Sequence, residues 1–404
     1  MISSHTDPCL TNDQPLKTNN RALPGIAPQA ISHYIYGMDI IALGLSTPCL
    51  VVDLDKMEAN IANWQAAIGK YGVALRPHVK THKVPAIAKM QLAAGAGGIT
   101  VAKLAEAEVF ADAGCTDIFV AYPVIGLDKW TRAAQLAQHI KLIVGVDSEI
   151  GVQGLSKAAA KASSKILVRV EVDTGLNRSG LKPSQIEALC QLIQSLPGLE
   201  LDGIFTFRST GFAGARGRSP DELGIEEGQI MVSMAEHLRA QGIPIRHISG
   251  GSTPTARAFA SVSGVTEARP GTYIFSDLMQ TARGIVSEDD VALTIYCTVV
   301  SKLGPDKFTV DGGSKTFSGD IAFRSTDDLK GYGKLVGQDA YVDSLSEEHG
   351  VVRCDAPVNV VIGDVLAFHP VHVCTTVNLS DELIGVRDDK IEVVGPVAAR
   401  GKRT

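Results

Sequence analysis

The feature that most limits the fold of this chain is a strand–helix alternation that repeats from Cys49 to Ser249. Short apolar runs alternate with longer segments whose apolar residues recur at helical spacing. Eight such units follow one another, and this spacing favours a parallel sheet with helical crossovers. The predicted strands are residues 49–54, 71–75, 98–101, 117–122, 141–146, 165–172, 199–207 and 245–249.

Eight units are the number that closes a (β/α)8 barrel of the TIM type. An open doubly wound sheet is the competing arrangement. The chain has no G-x-G-x-x-G after its first predicted strand, which weakens a dinucleotide-binding fold. We therefore predict an α/β barrel over residues 46–285.

The pattern changes after about Val286, where short strands are separated by Gly, Asp and Pro. This pattern of short strands predicts an all-β domain without helices over residues 286–404. Residues 31–45 are expected to pack beside it. Residues 1–30 are polar, show no secretory signal and are expected to form a disordered tail.

Composition narrows the class of protein further. The net charge of -6 does not favour nucleic-acid binding, and no apolar run is long enough to span a bilayer. The seven cysteines form no C-x-x-C pair, which indicates reduced thiols and a cytoplasmic setting.

A basic octet, residues 76–83, follows the second predicted strand, where a barrel keeps its chemistry. On a strand Arg76, His78 and Lys80 would share one face, and the positive charge of Arg76 would lower the pKa of Lys80. We hypothesise that Lys80 carries pyridoxal phosphate as a Schiff base. The alternative is a solvated basic surface.

Two further stretches have the character of an anion site. The loop from Ser249 to Thr255 follows the last predicted strand, and its glycines would let backbone N–H groups approach a phosphate. Arg169 and Glu171 alternate with valines on an apolar strand, and Arg178 lies in the next loop. The alternatives are a simple Gly/Ser turn and a structural ion pair.

A metal pair is predicted near the end of the chain. His372 and Cys374 are two residues apart, so on a strand they would face the same way, and imidazole with thiolate suits zinc-like ions. Asp343 and the stretch from Ser346 to Gly350 could add donors or orient a ligand. The alternative is a chance spacing.

Taken in order, these pieces resemble the D-threonine aldolase/D-serine dehydratase family, fold type III pyridoxal-phosphate enzymes related to alanine racemase. The resemblance runs from about Ser46 to the C-terminus. The motifs that carry it are P-H-x-K-T-H-K, V-E-V-D-T-G-x-x-R-x-G, S-G-G-S-T-P-T, R-P-G-T-Y, S-E-E-H-G and H-x-C-T-T-V-N-L.

The resemblance implies a barrel with a β domain, a homodimer and a small D-amino acid as substrate. Lys80 would be the lysine that bonds pyridoxal 5'-phosphate, with His78 beside it. Arg169 and Arg178 would contact the cofactor ring or its phenolic oxygen. A divalent metal ion (Mn, Mg, Co or Zn) would bind His372 and Cys374. The phosphate would lie against Gly250, Gly251, Ser252 and Thr253, with Tyr273 close by.

The reaction that the resemblance implies is metal-assisted retro-aldol cleavage of a D-β-hydroxy-α-amino acid to glycine and an aldehyde. Dehydration to an oxo acid and ammonia is the runner-up, and a non-catalytic pyridoxal-phosphate carrier is the alternative from another class. The sequence departs from the family in the loop from Phe207 to Arg218, which has no histidine. Its three arginines could clamp a β-carboxylate, such as that of D-3-hydroxyaspartate, or form salt bridges.

Overall fold

The structure, a computed structural model, describes residues 40–321 and 329–404. The predicted tail, residues 1–30, lies outside the described residues. Of the segment 31–45, the described part includes Ile40, which is fully buried against Val51, Tyr296, Ala367 and Val386. This end of the segment therefore packs on the second of the two sheets described below.

The first described strand, β1 (Cys49–Asp53), does not belong to the barrel. A parallel sheet of eight strands follows it in the chain. Its strands are β2 (Ala74–Leu75), β3 (Ile99–Val101), β4 (Asp117–Val120), β5 (Lys141–Val146), β6 (Ile166–Glu171), β7 (Leu199–Phe205), β8 (His247–Gly250) and β9 (Glu267–Ala268).

The eight strands close into a barrel. They lie in the order β2-β9-β8-β7-β6-β5-β4-β3, and a parallel bridge between His78 and Thr100 joins the two ends. The amide of Thr100 donates to the carbonyl of Pro77 at 2.8 Å across this seam. The predicted TIM-type barrel is confirmed.

One predicted barrel strand is wrong, and one barrel strand is absent from the prediction. Residues 49–54 were assigned to the barrel, yet β1 pairs with strands of the C-terminal sheet. The eighth barrel strand is β9, which has two residues. So short a strand shows no alternation, whereas β1 precedes a helix and therefore looks like a barrel unit whichever sheet it joins.

The segments between the barrel strands form helices because their apolar residues recur on one face of the helix. The longest begins at Ser219, whose side chain accepts from the amide of Glu222 in a capping box. No helix in the described ranges has the length and apolar character to span a bilayer. The helices of the barrel are α1 (Leu54–Gly69), α2 (Pro85–Ala93), α3 (Leu104–Asp112), α4 (Leu127–Leu136), α5 (Glu149–Ala162), α6 (Pro183–Ser195), α7 (Pro220–Ala240), α8 (Ala256–Ala260) and α9 (Leu278–Ala282).

The C-terminal part forms a nine-stranded sheet in the order β11-β14-β13-β12-β15-β10-β1-β16-β17. Only the β1–β16 pair is parallel among its described strand pairs. Two short helices interrupt it, so the prediction of a helix-free domain is wrong. Its elements are β10 (Leu293–Lys302), β11 (Lys307–Val310), α10 (Ser314–Phe317), β12 (Gly333–Leu335), β13 (Ala340–Leu345), β14 (Gly350–Cys354), β15 (Val365–Pro370), α11 (Val373–Val377), β16 (Glu382–Arg387) and β17 (Lys390–Pro396).

A buried ion cluster fills one end of the barrel. Glu267 accepts from Arg76 Nε at 2.6 Å and from Arg169 Nη1 at 2.5 Å. Arg76 also reaches Asp117 at 2.6 Å, and Arg169 reaches Asp202 at 2.7 Å. Burial raises the pKa of Glu267, but the two guanidinium groups outweigh it and hold the pKa below its usual range. One carboxylate therefore joins the ends of β2, β6 and β9.

We expect Glu267→Gln to lower the free energy of unfolding by about 3–5 kcal/mol, because two buried guanidinium groups lose their shared counter-charge. Urea denaturation at neutral pH measures it. The contribution is present above the unfolded-state pKa and is lost as pH falls, so the difference from wild type should shrink below about pH 4. Glu200→Gln is the control, since Glu200 pairs with Lys165 and Arg246 near the surface and should cost less than about 1 kcal/mol. Equal effects of the two changes would contradict the prediction.

Candidate active site

A cavity of about 550 Å³ lies at the carboxyl ends of the barrel strands, the position at which such barrels hold their ligands. His78 and Lys80 line it from the turn after β2, and Glu171 lines it from the end of β6. Arg178 and Arg269 also face it. A half-buried lysine in a cavity of this volume, surrounded by cations, can act as a nucleophile or base.

Lys80 does not lie on a strand. The chain leaves β2 at Leu75, and residues Val79–Thr81 form a 3₁₀ turn that presents Lys80 to the cavity. The predicted shared face with Arg76 is therefore wrong, since Arg76 belongs to the buried ion cluster. Burial lowers the pKa of Lys80, and Arg178 and Arg269 lower it further against the opposing charge of Cys374.

His78 is buried at the base of the cavity, directly before this turn. Burial, together with the nearby charges of Lys80 and Arg269, lowers the pKa of His78 well below its ordinary value. Its Nδ1 has no hydrogen-bond partner among the described residues. A neutral, flat ring with an unpaired nitrogen suits contact with an aromatic ligand in the cavity.

One of the predicted site arginines, Arg169, does not lie in the cavity. Arg169 is fully buried in the ion cluster and does not line the cavity, so its predicted contact with a cofactor is not supported. Arg269 lines the cavity instead, while its Nε donates to Ser249 Oγ at 2.9 Å. It was missed because β9 was missed, although it begins the quoted motif R-P-G-T-Y. Arg178 does line the cavity, with its guanidinium 4.9 Å from the centre of the Phe207 ring.

The predicted phosphate loop follows β8 and is buried. A Cβ on Gly250 would lie 2.7 Å from the Phe259 ring. Gly251 has a φ of +69°, and a Cβ there would lie 2.9 Å from the Cα of Ala256. Both glycines are therefore required by packing, whether or not a ligand binds. The hydroxyls of Ser252 and Thr253 are buried in the same turn, where Ser252 Oγ contacts Thr255 Oγ1 at 3.1 Å.

Tyr273 touches this loop through its backbone rather than its phenol. Its amide donates to Thr253 Oγ1 at 3.2 Å. Its hydroxyl accepts from Gln91 Nε2 at 2.8 Å, and its ring packs on Trp64. The buried hydroxyl therefore already has a partner and does not line the cavity.

His372 and Cys374 come together, although not on a strand. His372 precedes α11 and Cys374 lies within it. Burial opposes the protonation of His372, but Cys374 and a hydrogen bond to Asp320 raise its pKa to about 10. Burial raises the pKa of Cys374, yet His372 and Thr81 lower it overall.

This pair lies beside the lysine turn. Cys374 Sγ is 3.2 Å from Thr81 Oγ1, and Thr81 is the residue after Lys80. Within residues 40–321 and 329–404, no group of three or more His, Cys, Asp or Glu side chains could hold a metal ion. An ion bound by the pair would thus keep most of its coordination positions for water or substrate.

The other suggested donors lie elsewhere. Asp343 pairs with Arg353 on an exposed face of the sheet. The turn that contains Ser346 and Glu347 accepts the first amides of α10, because Ser314 donates to the carbonyl of Ser346 at 2.8 Å. Both features support the sheet and do not line the cavity.

The loop from Phe207 to Arg218 does not form the predicted arginine clamp. Arg208 Nη2 donates to Glu226 at 2.8 Å and to the carbonyl of Leu223 at 2.8 Å. Arg218 pairs with the same glutamate at 2.7 Å. Two of the three arginines thus form salt bridges, and none of the three lines the cavity.

Comparison with known families identifies both parts of the chain. Residues 52–278 match the family described as alanine racemase, N-terminal domain. Residues 292–386 match a serine dehydratase domain. The first match alone covers more than half of the chain.

Similar proteins span nearly the whole chain. D-threonine aldolase of Arthrobacter sp. is 35% identical over 364 residues, which cover 88% of this chain and 93% of that protein. D-threo-3-hydroxyaspartate dehydratase of Delftia sp. is 34% identical, over 83% of this chain and 92% of that protein.

Solved structures agree with these matches. The crystal structure of D-threonine aldolase from Filomicrobium marinum has a TM-score of 0.79 and 29% identity, over 89% of this chain and 97% of that chain. The Delftia dehydratase with a cysteine replaced by alanine, described as its metal-free form, has a TM-score of 0.79 and 32% identity, over 87% of this chain and 97% of that chain.

We expect Cys374 to react with iodoacetamide at neutral pH at least about tenfold faster than the other described cysteines, because its pKa is lowered whereas theirs are raised. Mass spectrometry of each cysteine peptide after short labelling measures the rates. Cys49 is the matched control, since it is also half-buried but burial raises its pKa to about 11. Comparable rates at Cys49 and Cys374 would show that the thiol of Cys374 is not activated. The cysteines with raised pKa are Cys49, Cys115, Cys190, Cys297 and Cys354.

Proposed function

The chain belongs to the D-threonine aldolase/D-serine dehydratase family of alanine racemase-like enzymes, and we propose that it is a pyridoxal-phosphate- and divalent-metal-dependent lyase of D-β-hydroxy-α-amino acids. Retro-aldol cleavage to glycine and an aldehyde is the leading reaction. The observation that carries the proposal is the 3.2 Å contact between Thr81 Oγ1 and Cys374 Sγ, since Thr81 is the residue after Lys80.

The cavity suits pyridoxal phosphate. Lys80 would hold the cofactor, which supplies an electron sink for negative charge on the substrate carbon. His78 offers its ring and an unpaired Nδ1 to the cofactor ring. Arg178 and Arg269 supply positive charge at the cavity wall, whereas Arg169 does not line it. The loop of Gly250, Gly251, Ser252 and Thr253, next to Tyr273, is proposed for the phosphate.

The pair His372 and Cys374 suits Mn²⁺, Mg²⁺, Co²⁺ or Zn²⁺, with positions left for the substrate's β-oxygen. An ion held by this pair would polarise that oxygen and would thereby assist either loss of its proton or its departure. A structure of a relative with a cysteine replaced by alanine is described as being in the metal-free form. The pair therefore serves both reactions and does not choose between them.

Proton handling is where the two reactions differ. Burial and the neighbouring cations Arg178 and Arg269 lower the pKa of Lys80, which favours its neutral amine relative to an ordinary lysine and suits it to take a proton from the substrate. Dehydration requires Lys80 to take the α-proton. Retro-aldol cleavage requires a base for the β-hydroxyl.

Dehydration remains the second candidate on a specific observation. Among the described residues that line the cavity, the only imidazole is His78, and its pKa is far too low for an effective base. Lys80, which dehydration uses, is in place. A pyridoxal-phosphate carrier is less well supported, because the matching relatives that span both domains are named as enzymes.

The proposal includes a cytoplasmic homodimer, as expected from the sequence and the resemblance. The described cysteines are all free thiols, which agrees with a reducing compartment.

The decisive experiment is a product assay of the purified, cofactor-loaded protein with D-threonine, D-serine and D-3-hydroxyaspartate. We expect absorbance at about 420 nm and glycine with an aldehyde as products. Chelation by EDTA should abolish turnover and added Mn²⁺ should restore it. Lys80→Ala is the control and should lose both absorbance and turnover. Ammonia with an oxo acid would select the dehydratase, and a protein that stays colourless with added cofactor would overturn the proposal.

The substrate side group has a candidate partner in Lys129. This residue lies in the first turn of α4 and lines the cavity, and it forms no ion pair with any described residue. The other cavity cations, Lys80, Arg178 and Arg269, are assigned to the cofactor above. We therefore propose that a β-carboxylate, as in D-3-hydroxyaspartate, would bind Lys129 rather than the arginine loop.

Lys129→Met should lower kcat/KM for D-3-hydroxyaspartate about 10- to 100-fold, mainly through KM, because one charged hydrogen bond is lost. Turnover of D-threonine, which lacks the carboxylate, should change little. Lys157→Met, on the exposed face of α5, is the control and should alter neither value. Equal losses for both substrates in Lys129→Met would remove Lys129 from the specificity of the site.

A further inference from the structure

The carboxylate of Asp320, which does not line the cavity, contacts the metal pair at His372. Asp320 Oδ2 lies 2.7 Å from His372 Nδ1 and accepts from Thr375 Oγ1 at 3.0 Å. Thr375 lies on α11, three residues after His372, and its hydroxyl also reaches the carbonyl of His372 at 3.2 Å. One carboxylate oxygen thus connects the imidazole with the helix that contains Cys374.

The chemistry of this contact fixes the imidazole. An ionised carboxylate only accepts hydrogen bonds, so the Nδ1 of His372 must donate and carry the hydrogen. The lone pair of a metal-bound imidazole is then left on Nε2.

We propose that Asp320 is a positioning residue that commits Nε2 of His372 to the metal and holds the ring in line with Cys374. The inference rests on the proposed metal role of His372 and Cys374. Carboxylates that orient metal-binding imidazoles raise their basicity and fix their orientation. Nothing in the sequence motif H-x-C reveals this residue, which lies about fifty positions earlier.

The segment that contains Asp320 is tied to α11 by further hydrogen bonds. Ser318 Oγ contacts Thr375 Oγ1 at 3.0 Å, and Thr376 Oγ1 donates to the carbonyl of Phe317 at 3.0 Å. The amide of Asp320 donates to Ser318 Oγ at 3.2 Å. The carboxylate is therefore held in place relative to His372, in contrast to a mobile surface ion pair.

A different carboxylate, Asp277, holds the backbone of the same segment. Its Oδ2 accepts from the amide of Val373 at 3.1 Å, and its Oδ1 accepts from the amide of Gln280 at the start of α9. Asp277 is fully buried and joins the barrel to α11, so its loss would disturb packing. Asp320 contacts the ring and is partly exposed, which makes its role separable from stability.

The test is isothermal titration of Mn²⁺ into the cofactor-loaded wild type, Asp320→Ala and Asp320→Asn. We expect Asp320→Ala to weaken Mn²⁺ binding about 10- to 100-fold. Asp320→Asn should lie between, because its amide oxygen can still accept from Nδ1. Cofactor absorbance and the melting temperature without metal should stay at the wild-type values. The Mn²⁺ concentration for half-maximal turnover should rise in parallel with the dissociation constant.

Asp343→Ala is the matched control, because Asp343 lies in the same sheet, pairs with Arg353 and should leave Mn²⁺ affinity unchanged. Wild-type Mn²⁺ affinity in Asp320→Ala, or an equal loss in Asp343→Ala, would overturn the inference and leave the lyase proposal standing. A wild type that binds the cofactor but no divalent ion would overturn both the inference and the metal part of the proposed function.

Discussion

The ion cluster around Glu267 is the constraint on which the rest of the structure depends. The strand that contains it, β9, has only two residues, so its backbone pairing alone is weak. Glu267 compensates by binding Arg76 of the β2 edge and Arg169 of β6 inside the barrel. Two residues further, on the same side of the chain, Arg269 enters the cavity. Barrel closure and the charge of the active site are thus set by one short segment.

A second dependence joins the barrel to the C-terminal sheet. The cavity belongs to the barrel, yet the metal pair belongs to α11, and Cys374 meets the lysine turn through Thr81. Asp277, the residue that caps the start of α9, accepts from the amide of Val373 from the barrel side. The reacting groups therefore depend on two domains packing in one relative position. The first described strand, β1, lies in the C-terminal sheet, and the strands that follow it in the chain form the barrel. The two domains are therefore connected through β1 as well as through the chain after the barrel.

The sequence predicted most of the architecture because alternation over long elements is a strong signal. It failed where an element was two residues long, at β9, and where a strand–helix unit belonged to the other sheet, at β1. It proposed Lys80 and His78 from the basic octet after a predicted strand, and the pair His372 and Cys374 from their spacing, and these roles stay predictions. It could not separate Arg169 from Arg269, because residue type shows charge but not which side chain finds a buried partner. It missed Asp320 because the residues that hydrogen-bond to a metal-binding side chain have no fixed spacing from it in the sequence.

Proton transfer, rather than activation of the substrate, distinguishes the two candidate reactions at this site. In the proposed function, Lys80, the loop from Gly250 to Thr253 and the pair His372 and Cys374 serve cleavage and dehydration alike, which is consistent with relatives of nearly equal identity named for each reaction. What distinguishes the reactions is whether a base can reach the β-hydroxyl. Within the described cavity wall, burial lowers the pKa of His78 and raises that of Glu171, so Glu171 is the side chain there whose hold on a proton is strengthened. Glu171 lines the cavity from the end of β6, so a carboxyl is available there as a candidate base although the loop from Phe207 to Arg218 has no histidine.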